Sequence, residues 1–325
     1  MLKRSDSFAI FWGGGLGDVL ALRPLLMALE TALDTAPLFF TTASHLQGLL
    51  TDLGLRAQLH VLPLRPAVAL AAIRGLGLRF DHLYLGPYPR LKTRMLAYAV
   101  APGRSWSTRH RDVSPFIAEQ VVADVEAMGL AAPAGIRAPY GGPWRYPARV
   151  SADPRRSYLV LHPGAKDRWE TTRWPEECWT QLMRELLPVT RHDLVLVGMP
   201  AERGRLESLI SSLNDSERSR LRIETALGLP GLAALLDAAT GVVCHNSGIL
   251  HLSAMLGRPT LALTGSSAEF WRPPYAHVHN LSSGACGLAC NQYRCPVPFY
   301  RARCIRQLQV EEVLAAVKQD LLGLS

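Results

Sequence analysis

Val242–Ala268 reads VVCHNSGILHLSAMLGRPTLALTGSSA, and the order of its residue types decides the fold. Val242-Val243-Cys244 is a short apolar run bounded by turn formers, and Pro259–Thr264 is another, so each predicts a buried strand. Between them His245-Asn246-Ser247-Gly248 places small polar groups where a strand ends, and a short helix opens at Gly248. In an open α/β sheet, ligands sit outside the carboxyl ends of the strands, and helix N-termini favour anionic groups. A second turn of the same kind lies upstream, at Leu161-His162-Pro163-Gly164-Ala165. The pair predicts a nucleotide site built from turns rather than from a single phosphate loop.

Working outward, the same rhythm fills the second half. Strands are expected at Tyr158–His162, Leu194–Gly198, Leu221–Ile223, Gly241–Cys244 and Thr260–Thr264. Helices are expected at Glu176–Leu187, Ala201–Leu213, Pro230–Ala239 and Ile249–Leu256, with a final helix at Val310–Leu322. The first half alternates likewise. Its strands are Phe8–Trp12, Leu38–Thr42, Leu59–Leu62 and His82–Leu85, and its helices Asp18–Leu33, Ser44–Leu53, Ala67–Arg74, Arg90–Val100 and Ser114–Met128. Ser114-Pro115 matches an N-cap followed by Pro at the first helical position. Ala131–Pro147, AAPAGIRAPYGGPWRYP, is loop-like and reads as the linker. Two domains, 1–147 and 148–325, follow from this break and from a length beyond the usual single domain. Alternation of strands and helices implies right-handed crossovers and parallel sheets, with the two units facing a cleft.

Of the 325 residues, 48% are hydrophobic and 19% charged, which suits packed cores and argues against disorder. No run of eighteen uncharged apolar residues occurs, so no spanning helix is expected. The start, MLKRSDSFAIFWGGG, reads as a first strand and not a signal peptide, which points to a cytoplasmic protein. The formal charge of +8 calls for a partner of negative charge. The arginines lack an interleaved aromatic signature, so a phosphorylated or membrane-held acceptor is expected rather than nucleic acid.

Phe11–Val19 reads FWGGGLGDV, with glycines at 13, 14, 15 and 17. A dinucleotide fingerprint would need Gly at 18 or 20, where Asp18 and Leu20 stand, and no Gly-Lys-Ser/Thr follows. That argues against a two-domain NAD-dependent enzyme. Asp18 is either an ordinary acidic N-cap or a functional carboxylate beside a ligand that approaches Gly14, Gly15 and Gly17 closely. His162-Pro163-Gly164-Ala165-Lys166, continuing to Arg173-Trp174-Pro175-Glu176-Glu177, reads as an anion cradle. In it Lys166 and Arg173 could neutralise a diphosphate leaving group, whereas Arg168 reads as a solvated loop charge. His251, three residues after Gly248, either faces the ligand or is a buried structural histidine.

Together, G-L-G-D-V, H-P-G-A…R-W-P-E and N-S-G-x-x-H-L-x-x-x-L-G-R-P resemble glycosyltransferase family 9, the ADP-heptose:lipopolysaccharide heptosyltransferases and their relatives. The three motifs stand in the family's order and span nearly the whole chain. The resemblance implies a GT-B fold of two Rossmann-like domains, acceptor-binding in the first half and nucleotide-sugar-binding in the second. It also implies inverting transfer that needs no metal or other cofactor for catalysis. By motif position Asp18 would be the general base. Gly164, Ala165, Lys166 and Arg173 would contact the donor phosphates, and Asn246, Ser247, Gly248 and His251 would line the donor sugar and diphosphate. The sequence departs from the family's pattern at Asn246, where the family has Asp, and at Thr172, where it has Lys.

Cys286-x3-Cys290-x4-Cys295-x8-Cys304 lies where many members of that family carry cysteines. In a reducing compartment such a cluster suggests a closed, structural Zn or Fe site; the alternative is reduced loop cysteines, or disulfides formed on purification. Cys178 and Cys244 read as core residues. The expected activity is transfer of a sugar, heptose from ADP-heptose foremost, onto a lipopolysaccharide core or related surface glycan. Its partners would be the nucleotide-sugar donor, an anionic glycolipid or glycan acceptor, and the inner face of the inner membrane, contacted peripherally. The alternatives are another nucleotide sugar, a protein acceptor, or a nucleotide-sugar-binding protein without turnover, which Asn246 and Thr172 motivate.

Overall fold

The computed structural model describes residues 2–324 except 64, 90, 98–100, 108, 132–134, 143, 145, 147–156, 165–172, 266–268, 284–294 and 296–302. Its contacts divide the chain into two compact units, Met1–Trp144 and Arg145–Ser325.

The first unit runs β1 (Phe8–Phe11), α1 (Leu16–Ala32), β2 (Leu38–Thr41), α2 (Leu46–Asp52), β3 (Gln58–Val61), α3 (Pro66–Gly75), β4 (Arg79–Tyr84), α4 (Leu91–Ala97), β5 (Ala101–Trp106) and α5 (Ile117–Ala127). All pairings are parallel, in the order β3-β2-β1-β4-β5. β1 is buried along its whole length, as a central parallel strand covered by helices on both faces must be.

The second unit runs β6 (Tyr158–His162), α6 (Glu176–Val189), β7 (Asp193–Val197), α7 (Arg203–Ile210), α8 (Asp215–Arg218), β8 (Leu221–Glu224), α9 (Leu229–Asp237), β9 (Gly241–His245), α10 (Gly248–Met255), β10 (Thr260–Leu263), β11 (Val278–Leu281), α11 (Arg303–Arg306) and α12 (Val310–Ala316). Its six parallel strands follow the order β11-β10-β9-β6-β7-β8. This is the doubly wound pattern, in which the chain reverses direction across the sheet between β6 and β9. The polar turns at Gly164 and Gly248 are the carboxyl ends of those two strands.

Two parts of the sequence reading change. The Pro/Gly-rich stretch at 131–147 is only partly a linker. Pro139–Gly141 forms a 3₁₀ turn, and Tyr140 and Trp144 are buried. Arg23 of α1, itself buried, donates from Nη1 to the carbonyls of Tyr140 and Gly142, both at 2.8 Å. A buried guanidinium needs such acceptors, so α1 holds this segment to the first unit. Helix α5 also starts later than Ser-Pro suggests. Phe116 is its cap, and the Ser114 hydroxyl accepts from the Phe116 N–H at 3.2 Å, closing a turn ahead of the helix.

Candidate functional site

In the first unit the glycine turn leads from β1 into α1. Gly15 is the helix cap, and the Asp18 carboxylate reaches back to accept its N–H at 2.9 Å. Asp18 is therefore the third residue of the helix and not its cap. Its carboxylate lies directly over Gly13, where a Cβ would come within 2.6 Å of both carboxylate oxygens. Only glycine permits that approach. The Trp12 indole N–H donates to the Asp18 carbonyl at 2.8 Å, and the Gly14 carbonyl accepts from His45 Nε2 at 2.9 Å. Gly17 lies in the first turn of α1. The site thus offers a half-buried carboxylate on a fixed backbone, in the first turn of a helix.

In the second unit His245 joins three segments. Its Nε2 accepts the backbone N–H of Trp174 at 2.9 Å, and its Nδ1–H donates to the Gly164 carbonyl at 3.2 Å. A backbone N–H can only donate, so this imidazole is neutral with the proton on Nδ1. Burial pushes its pKa down to about 3. One ring therefore ties Gly164 to the residue after Arg173. Trp174 is buried, donating from Nε1 to the Leu308 carbonyl at 2.8 Å, and the Trp179 ring meets His245 edge-on.

His162 Nδ1 lies 3.3 Å from the Ser247 hydroxyl, linking the β6 and β9 turns. Burial, assisted by the Arg205 charge, lowers the His162 pKa to about 4. A Cβ on Gly164 would fall 2.8 Å from His162 Nε2 and from Glu202 Oε1. Gly248 opens α10 after the Ser247 cap, and Asn246 is half-buried beside it. His251 is buried with its ring edge-on to Trp271, and burial lowers its pKa to about 4. Gly164, Arg173, Ser247 and Gly248 thus gather on one end of the second sheet. Ala165 and Lys166, with Arg168 and Thr172, lie outside the described residues.

Arg205 was not legible as a site residue. From α7 it donates to the Pro163 carbonyl at 3.2 Å and is bound by Glu176. A helical Arg in a polar segment carries no sequence signal that it reaches back 42 residues. The pairing Tyr84–Asp124–His110 in the first unit was missed likewise. The Tyr84 hydroxyl donates to Asp124 at 2.7 Å and His110 Nε2 to its other oxygen at 2.9 Å.

Of the cysteine cluster, Cys295 is half-buried and Cys304 buried, whereas Cys286 and Cys290 lie outside the described residues. Among the described residues no three His, Cys, Asp or Glu side chains converge as a metal site. Cys244 is fully buried, and Cys178 packs against the core. No described helix is long and apolar enough to cross a membrane.

Residues 134–300 match the sequence profile of glycosyltransferase family 9 (heptosyltransferase). Lipopolysaccharide heptosyltransferase 1 of Pseudomonas aeruginosa is 33% identical over 139 residues, 42% of this chain and 37% of that protein. The chain therefore aligns with little more than a third of this curated relative. Among solved structures, the ADP-heptose lipopolysaccharide heptosyltransferase II of Escherichia coli superposes with a TM-score of 0.63 at 17% identity, over 98% of this chain and 99% of that one. TibC of enterotoxigenic E. coli, described as an iron-containing dodecameric glycosyltransferase, gives 0.61 at 13% identity, over 100% of this chain and 78% of its own. At such identities the likeness establishes the fold, two parallel-sheet units of the GT-B kind.

Proposed function

The chain belongs to glycosyltransferase family 9, and from that premise we propose that it transfers heptose from ADP-heptose onto a lipopolysaccharide core or related surface glycan. The observation that carries the reading is the clustering of Gly164, Arg173, Ser247 and the α10 N-terminus at the point where the second sheet changes direction. Sites for nucleotides form there because carboxyl ends of strands and helix N-termini converge on it. The second unit then binds the nucleotide sugar and the first presents the acceptor.

Asp18 takes the proton of the acceptor hydroxyl as that oxygen bonds to the anomeric carbon. The bond from that carbon to the diphosphate breaks on the opposite face, inverting the centre and releasing ADP. Arg173, Lys166 and the N–H groups opening α10 balance the charge that grows on the leaving diphosphate. Asn246, Ser247, Gly248 and His251 line the donor, and Gly164 and Ala165 contact its phosphates. The acceptor is an anionic glycolipid or glycan, met at the cytoplasmic face of the inner membrane by a peripherally bound enzyme. The neutral Asn246 favours one variant of this reading, a nucleotide sugar other than ADP-heptose.

Cys286, Cys290, Cys295 and Cys304 would hold a structural Zn or Fe ion. The donor set fits, since four thiolates are the ligands such ions take in closed sites. Metal analysis of the purified protein and of Cys304→Ser tests it, and equal, negligible metal in both would remove the assignment.

The main test is ADP release from ADP-heptose with a delipidated acceptor. Asp18→Asn should lower kcat by ~10²–10⁴-fold and leave donor binding intact. Wild-type turnover by the variant would sink the base, and failure of the parent to bind ADP-heptose would sink the donor.

A further inference from the structure

The positive charge of the chain is concentrated. Between Leu53 and Arg111 stand ten Lys and Arg residues and one acidic residue, Asp81. That stretch carries +9, and the remainder, with 25 basic and 26 acidic residues, carries −1. The same stretch holds six of the ten exposed large hydrophobic residues among those described: Val61, Val68, Leu76, Leu78, Leu91 and Met95.

Helices α3 and α4, which pack on each other, organise much of this surface. Leu91 is 75% exposed and Met95 62% exposed, and four residues apart they share one face of α4 with exposed Arg94. Ala97 is buried at the back of that helix. On α3, Ala69 and Ile73 are buried, while Val68 and Arg74 face solvent. Among the described residues Arg56, Arg65, Arg74, Arg79 and Arg94 pair with no carboxylate. The second unit is mixed: Arg203, Arg205, Arg218, Arg220, Arg222 and Arg258 each sit within ion-pair distance of one, whereas Arg184, Arg191 and Arg306 do not.

A surface with free guanidinium groups and protruding aliphatic side chains matches a partner that is anionic and apolar within a few ångströms. A nucleic acid would answer the charge and leave Leu91 and Met95 in water. An apolar protein face would cover those two and leave five cations unanswered. A bilayer containing anionic phospholipid answers both. We propose that α3 and α4 form a docking surface for such a bilayer, Leu91 and Met95 entering the acyl boundary and Arg74 and Arg94 taking headgroup phosphates. The surface would hold the enzyme where a lipid-borne acceptor lies, and in that use it rests on the function proposed above.

The full chain is floated with vesicles of phosphatidylcholine, with and without phosphatidylglycerol, at low and high salt, and with no donor or acceptor present. Vesicle binding and turnover are thereby read separately. Partition onto the anionic vesicles alone is expected, weakening as salt rises. Arg74→Glu with Arg94→Glu should lower the partition by at least about tenfold. Leu91→Ser with Met95→Ser should lower it by roughly tenfold. Unchanged thermal unfolding in both double variants shows that the loss is not misfolding. Equal partition onto neutral vesicles, no partition, or partition indifferent to both variants overturns the proposal. So does a dimer abolished by Leu91→Ser with Met95→Ser, or nucleic-acid binding, in a protein that ignores vesicles.

Discussion

The β1–α1 and β9–α10 junctions have the same local plan, a buried strand ending in a small polar turn that opens a helix. They hold their ionisable groups in opposite ways. At the first, a carboxylate rests on glycine backbone and stays half exposed to water. At the second, His245, His162 and His251 are buried and neutral, with pKa values of about 3, 4 and 4. A group that must gain and lose a proton during turnover needs access to water. A group that holds a turn in place, or meets a ligand with a fixed charge, works best when its protonation never changes near neutral pH.

The sharpest way to break this contrast is acid. Each of the three histidines has a folded pKa below its ordinary 6.5, so its neutral form is fully favourable above pH 6.5. As pH falls toward 4 the unfolded chain takes up protons that the folded chain refuses, and stability drops by about 1.4 kcal/mol per pH unit for each. Burial raises the pKa of Asp124 in the first unit, a shift of the opposite sign. Hydrogen exchange between pH 6.5 and 4 should therefore show the second unit opening first. Simultaneous opening of both units would contradict it.

Next in size is His245→Phe, which leaves the Trp174 N–H and the Gly164 carbonyl without their partner. A loss of about 2–4 kcal/mol is expected in denaturant titrations, together with weaker ADP binding. Gly13→Ala acts on the other junction. Its methyl group would push the Asp18 carboxylate aside, and kcat should fall on the order of 10²-fold with little change in melting temperature. If Gly13→Ala weakens ADP binding instead, the separation of roles between the junctions fails. The smallest effect belongs to Arg203→Ala, which removes an exposed pair with Glu207 and should cost under ~0.5 kcal/mol by calorimetry.

Central strands were legible because both faces are buried, so their residues read as apolar runs. Of the four edge strands, β3 and β8 were legible and the other two were not. β5, APGRSW, and β11, VHNL, pair on one side only and carry Arg, Ser, His and Asn, so they read as loops. The polar turns were legible from residue type alone, since small residues at strand ends have few other uses. What joins them was not. His245 reads as one more polar turn residue, because nothing in the order of residues says that its ring spans Gly164 and Trp174. Contacts between segments 71 and 81 residues apart depend on the sheet order, which one sequence does not print.

The bonds from Arg23 to Tyr140 and Gly142 set where the chain can be recombined. A chimera that takes its first half from this protein and joins a relative's second half right after α5 would strand a guanidinium in the core without its two carbonyls. A crossover placed after Trp144 keeps that staple inside one parent. The seam between the two units thus lies seventeen residues beyond Ala127, where the helical pattern of the first unit stops.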